Sequence, residues 1–159
     1  MFMDDLAIAR AVHVLAIVLW IGGVSMVTTV LLPAARRAGA EGPALFEAIE
    51  RRFARQARLA TVLAGVSGFY MVQQADLWER FRSIQFWWMH AMFAVWLLFT
   101  LVLFVAEPLF VDRWYRERAA ARPQSTMALV QRLHWVMLTL SLLTIAGAVA
   151  GSHGMLFFG

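Results

Sequence analysis

RAVHVLAIVLWIGGVSMVTTVLLP, residues 10–33, is an apolar run long enough to cross a bilayer. A hydrocarbon core about 30 Å thick needs about 20 apolar residues at a rise of about 1.5 Å each. Between Arg10 and Arg36 the run carries one ionisable side chain, His13. Ionisable residues inside a membrane are costly, face protein rather than lipid, and mark functional sites by default. The fold and the function are both organised around this segment.

The composition agrees. The chain has 159 residues, 62% hydrophobic and 15% charged, against about 45–50% apolar and about 25% charged in a soluble domain. The reading is an integral membrane protein in one transmembrane domain over residues 1–159, with no room for a separate catalytic domain. The first run is of full spanning length and lacks an A-x-A-like exit, so no cleavable signal peptide is expected. All of the net charge of +4 rests on arginine, because the sequence has no lysine. In a membrane chain such charge sets topology, so no nucleic-acid partner is expected. Zero cysteines exclude disulfides, iron–sulfur ligation, c-type haem attachment and thiol catalysis.

Hydropathy predicts an all-α four-helix bundle with spans at about residues 6–32, 59–75, 84–106 and 127–150. Pro33 fits the end of the first span. Residues 43–58, PALFEAIERRFARQAR, carry Leu45, Ile49 and Phe53 at spacing four, which predicts an amphipathic helix lying at the headgroups. The second span is rich in small residues (Ala60, Ala64, Gly65, Ser67, Gly68) that permit close helix approach. The third opens with Phe86, Trp87 and Trp88, an interfacial aromatic signal, whereas Trp20 and Trp96 are expected inside. Residues 107–125 form a basic connection whose first part extends the third helix. The glycine- and alanine-rich stretch Ala146–Gly151 packs within the bundle or against a second copy, so a homodimer is open. The first and third connections hold most of the arginines, which predicts that both face the cytoplasm and that both termini lie outside.

That orientation sorts the histidines by depth. His13 and His90 each lie about 10 Å below an outer helix start, so two imidazoles on separate helices can share one metal. His153, beyond the outer end of the fourth span, can cap the same site. His134 lies toward the cytoplasmic end without a histidine partner, where it serves a second haem, a proton path, or only a hydrogen bond. Haem b fits this inventory: two neutral imidazoles can hold it, and it needs no cysteine. Gly22 and Gly23 leave room for a flat macrocycle, and Arg10, one turn above His13, can pair with a propionate or anchor to headgroups. Copper is the alternative cofactor, since imidazole suits it equally. The nine methionines show no Met-x-Met relay spacing.

The segment RAVHVLAIVLWIGG resembles the copper-resistance D-like membrane domain and the related haem-containing HemJ-type protoporphyrinogen oxidases. The likeness to the latter continues through Glu50-Arg51-Arg52, similar to their M-E-R-R segment, and Trp88-Met89-His90, similar to their W-L-H. It covers three of the four spans. It implies a compact helical bundle binding haem b with His13 and His90 at the family's functional histidines, and a bacterial inner membrane as the location. The chain departs from the HemJ pattern in two places. The lysine of W-L-H-x-K is Met92, and Arg132-Leu133-His134-Trp135 stands where an N-E-x-P-like motif is expected. The missing lysine weighs against protoporphyrinogen oxidation and affects haem binding less, since both histidines remain.

The leading expectation is a small membrane b-type cytochrome that transfers electrons, with quinone or an outer redox protein as partner. No acid–base dyad, nucleophile triad or phosphate loop is visible, so any enzyme activity would be haem-based oxidoreduction. Copper transport or delivery is the second reading, and a non-redox membrane subunit whose histidines only hydrogen-bond is the third.

Overall fold

The computed structural model describes residues 2–155; Met1 and residues 156–159 lie outside that range. Among the described residues there is no strand, and the chain folds as four long helical rods. The first is α1 (Phe2–Met26), a π-helical segment (Val27–Leu31) and α2 (Leu32–Arg37) in unbroken succession. The second is α3 (Gly42–Gln74). The third joins α4 (Trp87–Leu101), a longer π-helical segment (Val102–Val111) and α5 (Asp112–Ala121). The fourth is α6 (Pro123–Ser152). Three of the rods, Asp4–Arg37, Ile84–Ala121 and Pro123–Ser152, are long and apolar enough to cross a membrane. The rod formed by α3 is apolar only in its second half.

Contacts between rods fix an up-down-up-down order. His13, Leu19 and Gly23 on α1 meet Ala64, Gln56 and Phe53 on α3, in antiparallel sense. On α3, Thr61 takes the Trp96 indole N–H of α4 on its backbone carbonyl, while Arg58 reaches Leu103. Trp87 and Trp88 lie on Gly147 and Gly151 of α6, where a Cβ would collide with the indoles. The stretch Ala146–Gly151 thus packs inside this chain. Trp88 is buried, as is Trp20, so the first of these is a packing residue rather than part of an interfacial belt.

Two apolar layers lie between the rods. One joins Trp20 and Val24 to Ala57, Ala60, Phe99 and Leu138; the other joins Leu31, Leu32 and Ala35 to Phe46, Tyr115 and Met127. The small α3 residues between Ala57 and Gly68 let α1 approach closely, as expected of small-residue stripes.

Two expectations are corrected. Residues 43–58 and the second span are one helix, because nothing between Ala44 and Ala64 breaks it and Pro43 sits in the first turn, where its missing N–H costs nothing. Leu45 and Ile49 stay exposed on this helix, while Phe46 faces the interior, packing on Tyr115 and His134. Pro33 does not end the first rod. The first part of the basic connection extends the third helix as expected, through Ala121. Each proline lies six residues after the start of a π-helical segment, Val27 for Pro33 and Val102 for Pro108. The wider π turn absorbs a residue that would break an α-helix.

Candidate functional site

His13 lies on the inward stripe of α1, one turn before Ala16, which is buried. Its Nδ1 lies 2.9 Å from the Ala64 carbonyl oxygen and 3.1 Å from Ser67 Oγ. A carbonyl only accepts, so Nδ1 carries the proton and donates. The Ser67 hydroxyl donates its own proton to the Leu63 carbonyl, leaving its oxygen free to accept from His13. In a neutral imidazole this arrangement places the lone pair on Nε2, which has no hydrogen-bond partner among the described residues. Gly68 makes the fit possible: a Cβ there would stand 3.2 Å from His13 Cε1. Ala64, Ser67 and Gly68 therefore form a socket that fixes the ring, its tautomer and the nitrogen left open.

His90, half-buried in the first turn of α4, is held differently. Its Nε2 is 2.9 Å from the Phe81 carbonyl and its Nδ1 is 3.3 Å from the Phe86 carbonyl. A neutral imidazole has one N–H and can donate to only one of these; an imidazolium donates to both. The Phe81 ring also stands edge-on to it, 5.5 Å between centroids. His90 thus ties the short helical turns Trp78–Arg82 and Ile84–Phe86 to α4.

The other two histidines lie elsewhere. His134 donates from Nδ1 to the Val130 carbonyl at 2.9 Å and meets the Phe46 ring edge-on, in the arginine-rich half of the bundle. His153 is exposed and bonds the Val149 carbonyl at 2.8 Å. No hydrogen bond or ring contact joins any two of the four. Among the described residues, no group of three or more His, Asp or Glu side chains stands close enough to hold a metal ion. Arg10 is exposed and unpaired among the described residues. The notch at Gly23 is filled by the Phe53 ring, and Gly22 faces open space. His13 Nε2 is therefore open to a further partner, while the Gly23 notch supplies no room for a flat macrocycle.

One cluster escaped the sequence reading. Arg58 on α3 places its Nη2 2.9 Å from Glu107 Oε1 and its Nε 3.1 Å from the Leu103 carbonyl. In π-helical spacing each N–H bonds the carbonyl five residues back, as Asp112 does with Glu107. Pro108 has no N–H, so the Leu103 carbonyl is left open, and Arg58 fills the vacancy. Glu50 lies two turns away on α3, where burial pushes its carboxyl up to about 7; Glu107 adds to the rise and Arg58 opposes it. The signal in sequence was Glu107-Pro108 inside an apolar run. No protein-family model, curated protein or solved structure matches the chain.

Proposed function

We propose that the chain is an integral membrane protein that binds haem b and carries electrons, with His13 as the ligand on which the reading rests and His90 as the second. The observation that carries it is the His13 socket: Nδ1–H held by Ala64 and Ser67, Nε2 open, on the inward stripe of an apolar helix. A backbone or carboxylate acceptor on one ring nitrogen is how proteins orient an imidazole whose other nitrogen binds a metal. Membrane embedding is supported by outward faces as apolar as the core, including Val14, Leu15, Val18 and Leu19 on α1 and Leu140, Leu142 and Leu143 on α6. A soluble protein does not keep patches of that extent in water.

The bilayer reading gives the chain four passes, the arginine-rich connections in the cytoplasm and both termini outside. The second pass uses the apolar half of α3, from Leu59. The resemblance to copper-resistance D-like and HemJ-type proteins points to a bacterial inner membrane. Haem, when bound, supplies one-electron chemistry whose potential follows axial ligands and burial. The chain's own part is to hold the His13 ring through Ala64 and Ser67, to keep water out with apolar walls, and to offer the Arg10 guanidinium to a propionate.

A second reading has its own observation. Both His90 nitrogens lie on backbone carbonyls, the pattern of a histidine that pins a connection. The test is a reduced-minus-oxidised visible spectrum of detergent-purified protein expressed with ample haem, alongside His13→Ala and His90→Ala. The proposal expects b-type bands that disappear in His13→Ala. Bands retained in His90→Ala assign His90 to the connection and leave His13 as the ligand. A colourless protein overturns the haem reading, and metal analysis of the same sample then decides whether copper takes its place.

A further inference from the structure

At the arginine-rich end an open surface hollow of about 420 Å³ is lined by Pro33, Arg36, Arg37, Gly39, Gln124 and Met127, with both arginines and Gln124 exposed. A second, of about 390 Å³, shares Gln124 with it and is lined by Arg122, Pro123 and Ser125. Neither belongs to the histidine site. Three arginines from two separate connections thus converge on adjoining hollows where α2 ends and α6 begins.

The electrostatics there are one-sided. Arg36 is committed through one guanidinium nitrogen, which donates to Gln131 Oε1 at 2.7 Å. Arg37 and the Arg122 side chain have no hydrogen-bond or ion-pair partner among the described residues, and no carboxylate pairs with any of the three. The N-cap of α6 is Arg122 itself. It makes no side-chain cap, and the first turn holds no acidic residue. The first backbone N–H groups of a long helix have no partner within the helix and carry its partial positive charge. Ser, Thr, Asp or Asn is preferred at such a position, because a side-chain oxygen answers those donors. Here a 30-residue helix opens on a cation instead, beside a hollow walled by two more. A site with this donor set wants an anion with several oxygens, and phosphate geometry suits guanidinium forks together with helix amides.

We infer that the adjoining hollows at the α2–α6 junction are a binding site for a phosphate-bearing anion, held by Arg37, Arg36 and Arg122 with the first turn of α6. The source is a lipid phosphodiester headgroup or free phosphate. Basic pockets between helices at a membrane's cytoplasmic face are suited to anionic headgroups.

The test is isothermal titration of the detergent-purified full chain with three probes: short-chain phosphatidylglycerol, short-chain phosphatidylcholine and inorganic phosphate. Saturable binding of phosphatidylglycerol without inorganic phosphate binding supports the site with lipid as the source. Saturable binding of inorganic phosphate supports it with the free anion. In either case Arg37→Gln weakens binding about tenfold. Because arginines near a span also set topology, Gln124→Glu is the second variant. Its carboxylate favours the α6 N-terminus and so keeps the helix, yet repels an anion from the hollow. It is expected to abolish binding with circular dichroism unchanged. Arg82→Gln, at the opposite end, removes the same charge and is expected to leave affinity intact. No saturable binding of either anion, equal binding of phosphatidylcholine, or undiminished binding in Gln124→Glu overturns the inference.

Discussion

Glu50 is half-buried on α3 with Glu47 on the same helix and Glu107 and Asp112 across from it, and Arg58 as the opposing cation. Its carboxyl titrates near 7 in the folded protein, above its ordinary value, because burial and then Glu107 disfavour the anion. A folded-state pKa above the unfolded one means that the native state binds the proton more tightly. The associated stability is present in full below the unfolded pKa and is lost as pH rises through about 7. Glu50→Gln mimics the protonated form at every pH. Unfolding in detergent should therefore show the variant more stable than the parent at pH 8.5, by on the order of 2 kcal/mol, the partial exposure of the side chain reducing the full value. At pH 4 the two should coincide. A parent whose stability does not fall between pH 5 and pH 8 would remove the buried-acid account. His13 shows what sequence could reach at this scale: its place in an apolar run marked it as inward-facing. The identity of its partners was not legible, because Ala64 contributes a backbone carbonyl that any residue would carry, and because Gly68 matters only once α3 lies against α1.

Among the elements, the π-helical segments carry the clearest mechanical consequence. Pro108 opens the Leu103 carbonyl, and Arg58 answers it while also pairing with Glu107. Arg58→Leu leaves an acceptor and a half-buried carboxylate unsatisfied, which should cost about 1–3 kcal/mol in chemical unfolding. Pro108→Ala restores an N–H that can take the Leu103 carbonyl itself. In that background Arg58→Leu should cost less, a coupling of about 1 kcal/mol in a double-mutant cycle. Strict additivity would show that Arg58 does not serve the proline gap. The long rods were legible from hydropathy, since apolar runs of that length admit little else. Their joints were not. A proline is an ordinary helix-end signal, and a π turn that carries the helix past it has no local sequence mark. The inward residue of this part of α3 was not legible for a related reason. Leu45, Ile49 and Phe53 make the visible stripe, but Tyr115 and His134 recruit Phe46 to the interior, and that choice belongs to tertiary packing.

At the scale of the whole molecule, the fold gathers charge at one end. Arg36 and Arg37 at the end of the first rod, Arg51, Arg52 and Arg55 in the first half of α3, and Arg113, Arg116, Arg118 and Arg122 on and beyond α5 all lie at the end where α2, α5 and the start of α6 meet. The opposite end has Arg10, Arg80 and Arg82 together with Asp4, Asp5, Asp76 and Glu79, and the Arg82–Glu79 pair is exposed there. An up-down-up-down bundle requires all the connections of one parity to share a side, so the arginines of the first and third cannot be split across a membrane. Positive charge is retained on the cytoplasmic side during insertion, so the arginine-rich end should face the cytoplasm. The chain has no cysteine, which makes the prediction directly measurable. A single cysteine at Glu79 should react with a membrane-impermeant maleimide in intact spheroplasts. One at Ala40, an exposed position in the first connection, should react only after lysis. The reverse pattern would invert the topology and place the anion-binding hollows outside, while reaction of both in intact cells would show that the bundle does not span the bilayer in four passes.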